Sequence, residues 1–296
     1  MEINTANLTI LQRAVDVAFK RGLADEYTKN SLTEMSGLFR EFSGAKSITD
    51  FPFSDFFPGF REWAGDRVIN NVKTGIFQVI ARSFEDSVAI AMKALEEDDY
   101  GIYMDMLTDM AKMWEVLKGE IIMEVFLLNK TCFTGKPIFS TSHKYGKNTI
   151  SNLVTVALDA TSFEAALAKP ATWKFANGKP CRTRFTHLYV GPALETAAKT
   201  LVRAIDANGA TNVNADRVKV VVLPDIAGDY ANYWFLVDQS GVIKPIGVII
   251  PKTPKPKLPT DYYHVEKEGA AVALADGRAE AFPTFPHLVY GGFKSL

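Results

Sequence analysis

The apolar positions change their spacing several times along the chain, and each change marks an element. Across residues 8–42, Leu11, Val15, Phe19, Leu23, Leu32, Met35 and Phe39 recur at mixed three- and four-residue intervals. That period predicts one or two amphipathic helices broken near Gly22. Residues 43–59 lose it: Phe51, Phe53, Phe56 and Phe57, with Phe60 just beyond, stand among Pro52, Pro58 and small polar residues. Such a stretch reads as an extended arm whose rings must be buried against something, another chain included. In residues 75–93, Ile76, Val79, Ile80, Phe84, Val88 and Ile90 alternate in part with polar side chains, which predicts a hairpin or long two-stranded finger.

The strongest helical signal follows. Glu96, Glu97, Asp98 and Asp99 precede Ile102, Met106, Met110, Met113, Trp114, Leu117, Ile121, Val125 and Leu128. The acids favour the positive end of a helix dipole, and the apolar residues trace one continuous face. A helix of roughly 30 residues would be about 45 Å long, a spine for a whole domain. Further on, the pattern predicts a short helix at 161–168, a strand at 186–190, a helix at 193–207 opened by Pro192, and a strand at 218–223. Strands at 233–238 and 242–250 flank the Gln239-Ser240-Gly241 turn and read as a hairpin. Lys252, Lys255 and Lys257 alternate with Pro251, Pro254, Pro256 and Pro259 as a stiff solvated connector, and 265–293 reads as extended tail. The fold class is α+β.

Composition narrows the function. The 296 residues are 47% hydrophobic and 23% charged, with a formal net charge of -1. These are values of a compact globular chain, not of a disordered or coiled-coil one, and they supply no global attraction to nucleic acid or an anionic membrane. Two cysteines, Cys132 and Cys181, fit a reducing compartment. The first 20 residues lack a secretory pattern, and the apolar stretch 121–128 is far short of a membrane span.

Candidate chemistry is sparse. His143, His187, His264 and His287 are isolated in sequence and the cysteines form no C-x-x-C pair, so no metal ligand set is expected. No G-x-x-x-x-G-K-[ST] or G-x-G-x-x-G loop is present, so no nucleotide cofactor is expected. Cys132 with His143, or Ser140 and Ser142 with His143, could be drawn as a nucleophile and base, yet no activating motif frames them. The elements left over are apolar and extended. One compact subunit cannot cover them, which favours an assembly protein without a catalytic residue.

Specific residues then resemble a family. Phe60-Arg61-Glu62-Trp63-Ala64-Gly65-Asp66-Arg67, Phe84-Glu85 and Leu95-Glu96-Glu97-Asp98-Asp99-Tyr100-Gly101-Ile102-Tyr103 are similar to segments of the major head subunit of Mu-like phages. Gly135-Lys136-Pro137-Ile138-Phe139, Leu188-Tyr189-Val190-Gly191-Pro192, Trp234-Phe235-Leu236-Val237-Asp238 and Ile243-Lys244-Pro245-Ile246 follow in the same order. The resemblance implies a Hong Kong 97-type phage capsid fold. Its parts would be an N-terminal arm over 1–48, an extended β-hairpin loop over 49–93, a peripheral domain over 94–160 with its spine helix at 98–130, an axial domain over 161–238, and peripheral strands with the tail over 239–296. Phe60, Arg61, Trp63, Arg67, Phe84 and Glu85 become the candidates for intersubunit contact. The implied function is a non-enzymatic major capsid protein that forms hexamers and pentamers of an icosahedral shell. Its partners would be itself, a separate scaffold protein, a portal protein and non-specifically held DNA, with no membrane. It would reside in the virion, and in the host cytoplasm during assembly. A tail-tube or other phage structural protein is the alternative, and a hydrolase using Cys132 and His143 the third reading.

Overall fold

The computed structural model describes residues 5–25, 32–42, 46–54, 74–97, 101–203, 212–258 and 262–293. Helix α1 (Thr5–Leu23) is followed by one helical turn at 32–35 and strand β1 (Phe39–Phe42). Strands β2 (Ile48–Ser54) and β3 (Thr74–Ile80) pair antiparallel, and β4 (Arg82–Ala91) leads through the short α2 (Met92–Glu96) into α3 (Gly101–Leu127). At 1.5 Å per residue this helix is about 40 Å long. Strands β5 (His143–Tyr145), β6 (Asn148–Ile150) and β7 (Leu153–Val154), helix α4 (Ala160–Ala168), strand β8 (His187–Val190), helix α5 (Glu195–Leu201) and strand β9 (Lys219–Val222) come next. The chain ends through β10 (Tyr233–Val237), β11 (Ile246–Lys252), β12 (Pro256–Lys257), α6 (Tyr262–Glu268), β13 (Ala270–Pro283) and β14 (Val289–Phe293).

Two five-stranded sheets result. The first runs β1-β11-β13-β12, with β4 along the other side of β13; the second runs β7-β14-β10-β8-β9. β10 explains the second sheet. Its run Tyr-Trp-Phe-Leu-Val has no polar residue, so both faces must be covered. Trp234 and Leu236 point into a core with Tyr145, Phe163, Trp173 and Leu188. Phe235 and Val237 point the other way, onto Ile121, Val125 and Phe126 of α3, where they meet Val248 and Ala279 of the first sheet. The C-terminal half of α3 is therefore the common floor of both sheets. Its N-terminal half holds α1, through Leu8, Leu11, Val15 and Phe19 against Leu107, Met110 and Ala111. Gly22 permits that approach: a Cβ there would lie 2.1 Å from the Thr108 carbonyl oxygen.

Several expectations are corrected. The segments either side of Ile80 do not form a hairpin with each other. Only Ala81 separates β3 from β4, with no turn residue, so the chain runs on, and β4 pairs over ten residues with β13 while β3 pairs with β2. The hairpin expected around residues 239–241 is also absent. β8 and β14 occupy both edges of β10, leaving none for β11, which joins the other sheet between β1 and β13. Residues 39–42 are strand rather than helix, because the Ser36-Gly37 turn ends the helical segment and β11 offers a parallel edge. The Lys-Pro stretch is not a solvated connector: Pro256 and Lys257 add an edge strand to β13, where proline is tolerated, Pro254 is buried, and Lys252 pairs with Asp276. The helix predicted over 193–207 is a 3-10 turn at Pro192–Leu194 followed by α5, and residues 204–211 lie outside the described residues. Helix α6 runs into the start of the predicted extended tail, so residues 265–268 are helical rather than extended.

Candidate assembly interface

Pairing of β2 with β3 sets Ile48 opposite Ile80 and Pro52 opposite Ile76, with Asp50 and Gln78 hydrogen-bonded between them. Alternation puts these residues on one face and Phe51, Phe53 and Phe77 on the other. The phenylalanine face lies on the body of the same chain. Phe51 packs 4.5 Å from Phe282 and 5.0 Å from Phe42, measured between ring centroids, and Phe53 stacks on Phe133 at 4.9 Å. Phe51 and Phe53 thus find partners within the same chain, near in sequence at Phe42 and far from it at Phe133 and Phe282, while Phe56, Phe57 and Phe60 lie outside the described residues. The opposite face is uncovered: Ile48, Ile76 and Ile80 are 56%, 76% and 61% exposed.

At its base the finger is tied down by charge. Arg82 Nη2 donates to Glu124 at 2.6 Å and its Nε to Glu280 at 2.6 Å; Lys130 reaches Glu280 at 2.7 Å and Glu124 at 3.2 Å. Burial alone would raise the Glu124 pKa, but hydrogen bonds from Arg82 and Lys130 hold it below the ordinary carboxylate value. Burial likewise opposes the charge on Arg82, and the two glutamates more than offset it, raising its pKa. The Arg82 guanidinium lies 5.5 Å from the Phe84 ring centroid, and Phe84 meets Trp114 edge-on at 6.5 Å. This quartet joins residues of β4, α3, the turn after α3 and β13, and was invisible in sequence, since nothing local links Arg82 to Glu280.

Of the six predicted contact residues, Phe60, Arg61, Trp63 and Arg67 lie outside the described residues. Phe84 and Glu85 line a groove of about 320 Å³ between α3 and β4, with Met113, Trp114 and Glu120. Along α3 itself, Ile102, Met106, Met113 and Val116 form an exposed apolar stripe.

Cys132 and His143 are brought together, which eleven residues of separation did not foretell. The Sγ lies 4.0 Å from Nδ1, and Thr134 Oγ1 sits 2.9 Å from the same nitrogen and 3.0 Å from the sulfur. The imidazole Nε2–H donates to the Ile138 carbonyl at 3.1 Å, so Nδ1 is the acceptor and Thr134 the donor to it. Burial pushes the thiol pKa up and the imidazole down to about 4. A thiolate–imidazolium pair needs both shifts reversed. The cluster is therefore a neutral buried hydrogen-bond chain. Among the described residues, no group of three or more His, Cys, Asp or Glu could hold a metal ion, and no helix is long and apolar enough to cross a membrane.

Comparison with known proteins gives one family. The profile of the Mu-like prophage major head subunit gpT matches residues 8–157 and 152–226. The chain is 22% identical over 148 residues to the Mu-like prophage FluMu major head subunit of Haemophilus influenzae, covering 48% of this chain and 47% of that one. It is 27% identical over 89 residues to the major capsid protein of Escherichia phage Mu, 29% of each chain. The matches thus span about half of the first curated relative and less of the second. Among solved structures, a subunit of the bacteriophage JBD30 procapsid aligns at TM-score 0.58 and 16% identity, over 98% of this chain and 76% of that one. One from Mycobacterium phage Patience aligns at 0.60 and 13%, over 96% and 88%. The virus-like particle of Pyrococcus furiosus aligns at 0.51 and 10%, over 94% and 97%. At these identities the likeness shows the fold, that of Hong Kong 97-type capsid subunits.

Proposed function

Since the chain belongs to the Mu-like prophage major head subunit family, we propose that it is the subunit of a closed phage head, assembling with copies of itself into hexamers and pentamers. The observation that carries this reading is the unpartnered apolar surface of the finger and of α3. Ile48, Ile76, Ile80, Ile102, Met106 and Met113 are each more than half exposed, more than an isolated soluble subunit ordinarily leaves in contiguous stripes.

On this reading residues 1–48 serve as arm, 49–93 as extended loop, and 94–160 as the start of the peripheral domain, with the spine at 98–130. Residues 161–238 supply most of the axial unit, to which β7 and β14 lend strands, and 239–296 return to the periphery. Phe60, Arg61, Trp63 and Arg67, together with Phe84 and Glu85, would meet a neighbouring copy. A separate scaffold, a portal and loosely held duplex DNA complete the partners, and the virion is the final location, after assembly in the host cytoplasm. A net charge of -1 gives the subunit little means of neutralising phosphate, so DNA would be confined by shell closure rather than by affinity. Negative-stain microscopy of the purified protein tests the proposal. Closed shells or isolated capsomers are expected; open tubes would favour the tail-tube alternative, and a strictly monomeric protein would overturn both.

A further inference from the structure

Helix α1 turns a basic, apolar stripe outward. Ile10 and Val17 are 59% and 68% exposed, and Arg13, Lys20 and Arg21 stand beside them at helical spacing. These three are the exposed charged residues of α1 among those described, and all are cations. Asp105 of α3 shares a groove with Arg13 and Arg21, and Asp16 is half-buried and accepts a hydrogen bond from Gln12, so three cations against these two acids leave the face net positive. The groove between α3 and β4 has the complementary character. Its apolar part is Phe84, Met113 and Trp114, its acids are Glu85, Asp86 and Glu120, and no cation lines it among the described residues. A bare Gly277 deepens it, since a Cβ there would come within 2.7 Å of the Trp114 ring.

We propose that, on assembly, the α1 stripe of one copy seats in the α3–β4 groove of the next, an inference that rests on the shell reading above. A copy cannot fill its own groove with its own stripe, because the buried side of α1, through Phe19, already lines that groove. Nor can two copies pair symmetrically. Stripe on stripe would oppose Arg13, Lys20 and Arg21 to themselves, and groove on groove would do the same with the three acids. Only stripe-to-groove contact joins opposite charges over apolar surface. Such a contact is heterologous, and a heterologous contact that closes makes a ring. The groove thus gives Phe84 and Glu85 a partner as contact residues, α1 of the neighbouring copy.

A pair of charge reversals decides it. Arg13→Glu with Arg21→Glu makes both surfaces acidic; Glu85→Lys with Glu120→Lys makes both basic. Each variant alone should lose assembled material by at least about tenfold in sedimentation velocity, with the melting of the free subunit unchanged. A one-to-one mixture should recover assembly at the level of hexamers, where the two chains alternate with every contact complementary, whereas a five-membered ring keeps one mismatched contact. Recovery on mixing also proves that both variants are folded. Should the α1 variant assemble like wild type while the groove variant fails, the groove belongs to another occupant, such as the Arg61 to Arg67 segment, and the proposal falls. It falls equally if both variants assemble alone, or if the mixture of folded variants does not recover. Wild-type protein that forms no particles would instead overturn the shell reading, and this contact with it.

Discussion

The unit around β10 and the flank formed by α1, α3 and the β2–β3 finger place their apolar residues in opposite ways. In the first, Trp234, Phe235, Leu236 and Val237 are all fully buried, and Trp234 Nε1 donates to the Val156 carbonyl at 3.2 Å. Gly292 leaves room for that indole, since a Cβ there would fall 2.0 Å from it. In the second, one side of each element is buried and the other presents isoleucine, methionine or valine to solvent. A core that is complete within one chain reports on folding. An apolar face left open by a folded chain reports on what the chain joins.

The sharpest break of that contrast is in the compact unit. Trp234→Ala removes a large buried side chain whose neighbours, Tyr290 and Leu188 among them, sit in regular strands that cannot collapse into the space. It should cost about 3–5 kcal/mol, a large part of the total stability of a typical domain. Chemical denaturation followed by circular dichroism measures this, and a change below about 1 kcal/mol would mean that the unit is not the folding core.

Acid should also strike that unit first. His143 and His287 are both buried there, and burial lowers each pKa to about 4 from 6.5. The folded state then holds them neutral while the unfolded chain protonates near pH 6.5, so stability is full above that pH and declines as the pH falls from about 6.5 to 4. The two together should cost on the order of several kcal/mol by pH 4. His187, half-buried in the same sheet, is shifted down too, by burial first and by Lys219 and Lys244 next. His143→Gln should flatten the decline, as read from melting temperatures at pH 7, 5.5 and 4.5. An unaltered slope would remove this histidine from the account.

What sequence revealed follows the same division. The long helix and the short α/β elements were readable because their period is local: Met110, Trp114, Ile121 and Val125 mark one face whatever they touch. The β10–β11 hairpin and the β3–β4 finger were misread because edge occupancy is a property of the whole sheet. A turn signal at Gln239-Ser240-Gly241 is the same whether the next strand folds back or crosses to another sheet. The ion quartet of Arg82, Glu124, Lys130 and Glu280 had no sequence signal at all, since its members are up to 198 residues apart. The Phe51–Phe53 segment announced that it needed burial without saying where, and Phe282, Phe133 and Phe285 supply the answer. The resemblance to a capsid family carried function further than any residue pattern could, because assembly has no catalytic signature.

The smallest expected change in stability sharpens the contrast most. Ile76 and Ile80 lie on the uncovered face of the finger, while Val79 between them is buried. Replacing both isoleucines by serine removes no buried contact of the free subunit, so its unfolding free energy should move by no more than about 0.5 kcal/mol. If that face is covered in an assembled shell, the same change deletes apolar area at every copy of the interface, and the loss multiplies over the particle. Particle yield should therefore collapse while the melting curve of the subunit stays in place. The control Val79→Ser should do the reverse at the level of the monomer, destabilising the finger against Phe53, Phe282 and Phe285. If Ile76→Ser with Ile80→Ser left both stability and yield unchanged, the open face of the finger would be ordinary exposed surface, and the division between a unit built for folding and a flank built for joining would have to be redrawn without it.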